Sequence, residues 1–347
     1  MATTATLREV ADMAGVSIGT ASQALNNRPN VSPETRARVV DAAITLGYHR
    51  LSHSNQVEHA ISVIGMLVKH DYGREVSVNP FYSHVERGVE SECRKRNIGL
   101  MYSAIEVDHQ NRPMIWPSMI SEHRIDGLLF IGTFIEDTID QVKRRTNLPI
   151  VLIDSYTNNL PFDSVLIDNA VGATCATNLL IELGHKHIGL TGSNPESPPG
   201  VLERRINYQN ALRKAGIQDE YIEDCGLSRE EAYQATQQLL QRCPQITAIF
   251  SINDDSAIGV MNAVRDMGLS IPDDISVIGF DNIDVAKEVA PALSTIHVYK
   301  SWLGILGVRN LIDRIQNPDQ PRIITTVTTQ LIVRETVGSP RQRSIKT

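Results

Sequence analysis

The sequence predicts an all-α helix-turn-helix head followed by an α/β core of two lobes, each a doubly wound parallel sheet. Three observations predict it. Two capped amphipathic helices separated by a glycine turn stand near the start, apolar β-rich runs alternate with helical stretches from residue 60 onward, and the chain has 347 residues. That length suits a head of about 50 residues and a body of two lobes of ordinary domain size.

Within the head, Leu7, Val10, Ala11 and Ala14 recur at helical spacing, and Thr6 with Glu9 forms a capping box. Gly15-Val16 gives a tight turn. Ser17 then caps a second helix whose inward stripe is Ala21, Ala24 and Leu25, residues small enough for close helix crossing. Its outward face is Ile18, Gly19, Ser22, Gln23 and Asn26. A third helix starts with Ser32 as N-cap, Pro33 at the first helical position and Glu34 favoured by the dipole, and stops at Gly47. A helix, a glycine turn and a capped helix with a polar outward face make the geometry that lays a recognition helix in the major groove of double-stranded DNA. The bland reading, an ordinary helical hairpin, leaves the agreement of caps, stripes and turn unexplained.

In the body, candidate strands are Ala60 to Val68, Gly99 to Ala104, Gly127 to Gly132 and Pro149 to Asp154 in one half. His187 to Thr191, Ala248 to Ile252 and Ser276 to Phe280 belong to the other. Helices are expected over Tyr82 to Arg96, Gly172 to Glu182, Glu203 to Lys214, Glu230 to Gln241 and Asp255 to Met267. Ligands of open parallel sheets sit at the carboxyl ends of strands, which here carry Lys69-His70-Asp71, Asp154-Ser155-Tyr156, Asn253-Asp254 and Asp281-Asn282. Two such polar ends facing one another make a cleft.

Composition narrows the function. The net charge is −7, while the first 50 residues hold five arginines against four acids, +1, leaving −8 for the rest. So weakly basic a head binds a single half-site poorly, because affinity grows with each neutralised phosphate. A dimer presenting two heads is therefore expected. Neither half carries a phosphate loop or a G-x-G-x-x-G turn, which disfavours a nucleotide-dependent enzyme. The start lacks a basic-then-apolar signal, no apolar run reaches about 18 residues, and the four scattered cysteines fit reduced thiols. A cytoplasmic protein is expected, with no membrane partner, metal or cofactor.

Spaced motifs then identify the chain as similar to the lac-repressor (LacI) family of bacterial transcription regulators. They are Ala14-Gly15-Val16-Ser17, Asn30-Val31-Ser32-Pro33-Glu34-Thr35-Arg36, Asn79-Pro80-Phe81-Tyr82, Leu183-Gly184-His185, Ile271 to Asp281 and Pro291 to Ile296. The resemblance implies a periplasmic-binding-protein-like core and a dimeric repressor of a pseudo-palindromic operator. It also implies a sugar-like effector between the lobes. The domain reading is a head at 1–48, a hinge at 49–60, a core at 61–340 and a tail at 341–347. The first lobe takes about 61–160 and 291–324, the second about 161–290 and 325–340.

Carried over by position, base-reading side chains fall on Ile18, Gly19 and Gln23. Phosphate contacts fall on Thr6, Ser17, Thr20, Ser22, Asn26, Asn30, Val31, Ser32 and Thr35, although capping accounts equally for some of these hydroxyls. Gln23 stands where the family usually has arginine and favours adenine over guanine; Ile18 can pack on a thymine methyl. The hinge departs from the family, with Val57 at the position of the minor-groove leucine and Glu58 beside the phosphates. His49 and His53 read as solvated linker residues. The resemblance places effector contacts on Arg204, Asp281, Asn253, Asp254, Phe81 and Tyr82, with Asp154 at a strand end and Leu227 where relatives carry an aromatic. A carboxylate accepting two hydroxyls and a guanidinium donating to two oxygens suit a polyhydroxylated ligand. Packing in the core is an even alternative for the two aromatics. The segment from Pro195 to Gly200 reads as a proline-rich loop, and His185 and His187 as structural. The end of the chain carries no leucine heptad, so dimers rather than tetramers are expected. Two rival readings are a solute-binding sensor, which needs no DNA head, and a sugar hydrolase, for which a paired nucleophile and base are missing.

Overall fold

The computed structural model describes residues 6–25, 28, 31–46, 61–71, 80–108, 112–120, 124–134, 136–157 and 160–341. Two compact units divide the chain, Met1–His59 and Ala60–Thr347. The first holds α1 (Leu7–Ala14), α2 (Ile18–Leu25) and α3 (Pro33–Thr45). Val10, Ala11, Ala21, Ala24 and Val39 fill its core, where small alanines bring three short helices together.

The second unit contains two six-stranded sheets. In chain order come β1 (Val63–Asp71), α4 (Pro80–Lys95), β2 (Gly99–Val107), β3 (Gly127–Ile131), α5 (Glu136–Arg145), β4 (Ile150–Ile153) and β5 (Asp163–Ile167). Next are α6 (Asn169–Glu182), β6 (Ile188–Ser193), α7 (Pro199–Lys214), β7 (Tyr221–Asp224), α8 (Arg229–Arg242), β8 (Ala248–Ser251), α9 (Asp254–Asp266) and β9 (Ser276–Asp281). The chain closes with β10 (Ser294–Val298), α10 (Lys300–Gln316), β11 (Ile324–Val327) and β12 (Thr329–Ile332). The first sheet has the order β11-β5-β4-β3-β1-β2 and the second β12-β10-β9-β8-β6-β7. Every pairing is parallel except β12 on β10, an antiparallel edge on the otherwise parallel second sheet. β3, β4, β8 and β9 are buried throughout, which is why they read as continuous apolar runs.

Three differences from the expected layout follow from pairing that sequence periodicity does not reveal. β5 remains in the first sheet, so the chain leaves that lobe at Asp168 and not near residue 160. β10 pairs with β9, so the return falls at Tyr299 and not near residue 290. The last crossing lies at Thr328, between β11 and β12. The segment from Pro195 to Gly200 is also not all loop: Pro199 and Gly200 open α7, where a proline without an N–H loses no hydrogen bond.

α4 and α10 cross with backbone in contact. A Cβ added at Gly304 would lie 2.1 Å from the Val85 carbonyl oxygen, and one at Gly88 2.1 Å from that of Ser301. Gly304→Ala should therefore push the helices apart and lower the stability of the core by about 1–3 kcal/mol, the usual cost of overpacking. Thermal unfolding measures this as a fall in melting temperature; an unchanged value would show that the crossing yields without strain.

Candidate DNA-reading face and effector cleft

The head presents α2 as its sequence suggests. Thr6 and Glu9 complete the capping box, and Gly15, left-handed at φ 65°, ends α1 with its N–H on the Ala11 and Asp12 carbonyls. The Ser17 hydroxyl accepts from Thr20 N at 3.1 Å and Ser32 from Thr35 N at 3.3 Å, so both serines cap as read. Ile18, Gly19 and Gln23 are exposed, Thr20, Ser22 and Thr35 half-buried. A Cβ at Gly19 would meet only Ser17 Oγ, at 3.7 Å, so packing in the head does not require glycine there. Val31 differs: its side chain is buried in the head core, which leaves only its backbone for a phosphate. Asn26, Asn30 and Val57 lie outside the described residues, as do His49 and His53.

Arg36 has a role that residue type alone does not disclose. Its guanidinium donates to the carbonyls of Arg28 at 2.7 Å, Val31 at 3.4 Å and Ala24 at 3.5 Å, tying the segment after α2 to α3. Counting arginines as phosphate contacts would miss this.

In the core unit, the carboxyl ends of β3, β4, β6 and β9 leave the sheets through left-handed residues: Gly132, Asp154, Gly192 and the pair Asp281-Asn282. Non-glycine residues at positive φ are strained and need to be held. Asp154 Oδ2 accepts from the Tyr82 hydroxyl at 2.9 Å. Lys300, the buried first residue of α10, donates to the Asp281 carbonyl at 2.5 Å and that of Asn282 at 3.0 Å. Arg334 Nη2 adds a bond to Asn282 Oδ1 at 2.7 Å.

Arg204 is buried on α7 with its guanidinium carbon 3.8 Å from the centre of the Phe280 ring. Nε donates to Asn169 Oδ1 and Nη1 to the Ile252 carbonyl, both at 2.8 Å. Nη1 also stands 3.5 Å from Asp281 Oδ1, a buried oxygen that accepts no hydrogen bond among the described residues. Burial pushes the Asp281 carboxyl up, with Arg204 and Lys300 opposing. A buried carboxylate oxygen left open is costly and asks for a donor from outside.

Other expected contacts turn out to support this turn. Asp254 is fully buried and accepts from Thr295 Oγ1 at 2.5 Å and Ile283 N at 2.8 Å, so it braces the chain beyond Asp281. Burial, then Asp281, raises its carboxyl. Asn253 caps α9 through Ser256 N and donates to the Leu227 carbonyl. Phe81 is buried, edge-on to Tyr82 at 5.0 Å, as the core-packing alternative expects, whereas Tyr82 stays half-buried and Leu227 exposed. Sequence reading missed Asn169, Glu203, Lys300 and Arg334, since single polar residues within helices carry no spacing signal. His185 is structural, bonded to Thr247 Oγ1 and the Gly338 carbonyl. A cavity of about 30 Å³ lies between the lobes, lined by Thr133, Asp154, Tyr156, Asn169 and Glu203 among others. Ligand pockets usually hold roughly 300 Å³ or more, so this cavity as it stands is smaller than a usual ligand site.

A three-helix head with one exposed helix face, followed by two lobes enclosing a polar cleft, defines a ligand-responsive DNA-binding regulator. The family described as "Bacterial regulatory proteins, lacI family" matches residues 6–50, and "Periplasmic binding protein-like domain" matches residues 177–337. The HTH-type transcriptional repressor PurR of Photobacterium profundum is 32% identical over 338 residues, covering 96% of this chain and 98% of that protein. The ribose operon repressor of Haemophilus influenzae is 31% identical, covering 96% and 99%. The structure of the transcriptional regulator CelR in complex with cellobiose aligns with a TM-score of 0.70 at 25% identity, over 96% of this chain and 99% of that one. The chain belongs to the lacI family of bacterial regulatory proteins.

Burial raises the Asp154 carboxyl from 3.8 to about 6, against the opposing pull of Arg204 and the Tyr82 hydroxyl. The folded chain thus holds this proton more tightly than the unfolded one, so the contribution is full below about pH 4 and lost as pH rises through about 6. Asp154→Asn, which cannot ionise, should match the parent in stability near pH 4. Near pH 7.5 it should exceed the parent by about 1–2 kcal/mol, discounted for the partial exposure of the site. Urea unfolding at the two pH values checks the sign; a constant difference would remove Asp154 as the titrating group.

Proposed function

We propose that this chain is a transcriptional repressor that binds a pseudo-palindromic operator as a dimer and changes its operator affinity when a sugar-like effector occupies the cleft. The observation that carries the effector half is the open, buried Oδ1 of Asp281 beside the Arg204 guanidinium. A carboxylate oxygen without a hydrogen-bond donor among the described residues, and a fork whose Nη2 bonds to none of them, suit a ligand rich in hydroxyls. The relatives support the DNA half, being named repressors along nearly their whole length. Residues 49–60 serve as the hinge in this reading, and the base-reading edge is Ile18, Gly19 and Gln23. Effector binding shifts the population of lobe arrangements by its differential affinity, and the hinge relays that shift to the paired heads.

Selection of bound duplexes from random DNA, followed by gel retardation with and without a metabolite panel, tests the proposal. No retained twofold-symmetric sequence would end it. Gln23→Arg should move the preferred base at one symmetric position from adenine toward guanine, with discrimination of about 1–3 kcal/mol. Arg204→Ala should abolish the effector response while leaving operator affinity in the absence of effector within a few fold; competition binding reads both quantities.

A further inference from the structure

The described residues lining the cavity between the lobes include two carboxylates, Asp154 and Glu203, and no basic side chain. Glu203 precedes Arg204 on α7, is half-buried, and accepts from Asn169 Nδ2 at 3.4 Å. Its charge acts on Asp154 and on Tyr156, raising both groups. Of the described cations nearby, Lys300 is committed elsewhere and Arg204 in large part. Arg204 spends Nε and Nη1 on Asn169 and Ile252 and faces Asp281, while Lys300 donates to main-chain carbonyls. Asp281, buried with an open oxygen, adds a third acceptor, and Asp254 lies behind it. A phosphate or carboxylate entering this space would bring a like charge against partly desolvated carboxylates, where repulsion is least screened.

We infer that Asp154 and Glu203 are specificity-determining residues that restrict the effector to molecules presenting hydroxyl or ammonium hydrogens to this cavity and that reject phosphorylated or carboxylated sugars. This rests on the proposed effector cleft and assigns its charge selectivity. Asp154 and Asp281 accept hydrogens from the ligand, and Glu203 guards the side of the cavity next to the guanidinium.

The test uses the full chain with named probes: D-ribose, cellobiose and D-glucosamine against D-ribose 5-phosphate, D-glucose 6-phosphate and inorganic phosphate. Binding is followed by calorimetry and by the shift in melting temperature at constant ionic strength. The parent should bind none of the three anions at millimolar concentration. The double variant Asp154→Asn with Glu203→Gln keeps both shapes and should gain affinity for inorganic phosphate by roughly tenfold or more, a gain that a further Arg204→Ala abolishes. Should the double variant fail to fold, Glu203→Gln alone, at a half-buried position, should show the same gain in smaller measure. Arg204-dependent binding of a sugar phosphate to the parent would overturn the inference, and so would variants that still exclude phosphate. Failure of every neutral sugar to bind would count against the sugar-effector reading alone, because the phosphate comparison does not depend on it.

Discussion

The cleft depends on a turn that the polypeptide would not adopt unaided. Asp281 and Asn282 leave β9 at φ 108° and 52°, where a side chain clashes with its own backbone at a cost on the order of 1–3 kcal/mol each. Lys300 holds the turn by donating to both carbonyls, Arg334 grips Asn282 from β12's exit, and Asp254 secures Ile283 and Thr295. A buried ammonium at a helix N-terminus opposes the helix dipole and loses its hydration, so its three main-chain acceptors must compensate. Because Lys300 begins the helix that packs on the first sheet while the turn belongs to the second, the same bonds that orient Asp281 also join the lobes.

This arrangement gives Arg204 its setting. Stacked on Phe280, the residue before Asp281, and fixed by Asn169 and Ile252, the guanidinium is preorganised, so a ligand need not pay to order it. The head solves a smaller version of the same problem. Its core is mostly alanine and valine, too little surface to hold the segment after α2 by burial alone, and the Arg36 bonds to three carbonyls supply what packing does not.

Elements whose cause is local were legible in the sequence. The capping box of Thr6 and Glu9, the serine caps, the left-handed Gly15 and the exposed edge of α2 each arise within a few residues, and they stand where the spacing put them. The fully buried strands were legible as well, since burial on both faces leaves a continuous apolar run. Some short strands escaped, although β4 and β8, equally short, did not. β5, β10, β11 and β12 have four or five residues, and which sheet each joins is a matter of long-range pairing.

The candidate site divides along the same line. Residue type and position alone determined that this chain carries a capped reading helix, two parallel-sheet lobes and the acidic strand ends including Asp154 and Asp281, because periodicity, caps and turn chemistry are written in neighbouring residues. Only tertiary structure decided that Phe81 and Val31 are buried, that Asp254 and Asn253 bond within the second lobe, that Lys300 holds the turn at Asp281, and that Glu203 lines the cavity. The physical reason is that a side chain's charge and hydrogen bonds take their meaning from partners up to hundreds of residues away, and no local pattern encodes which partner burial will supply.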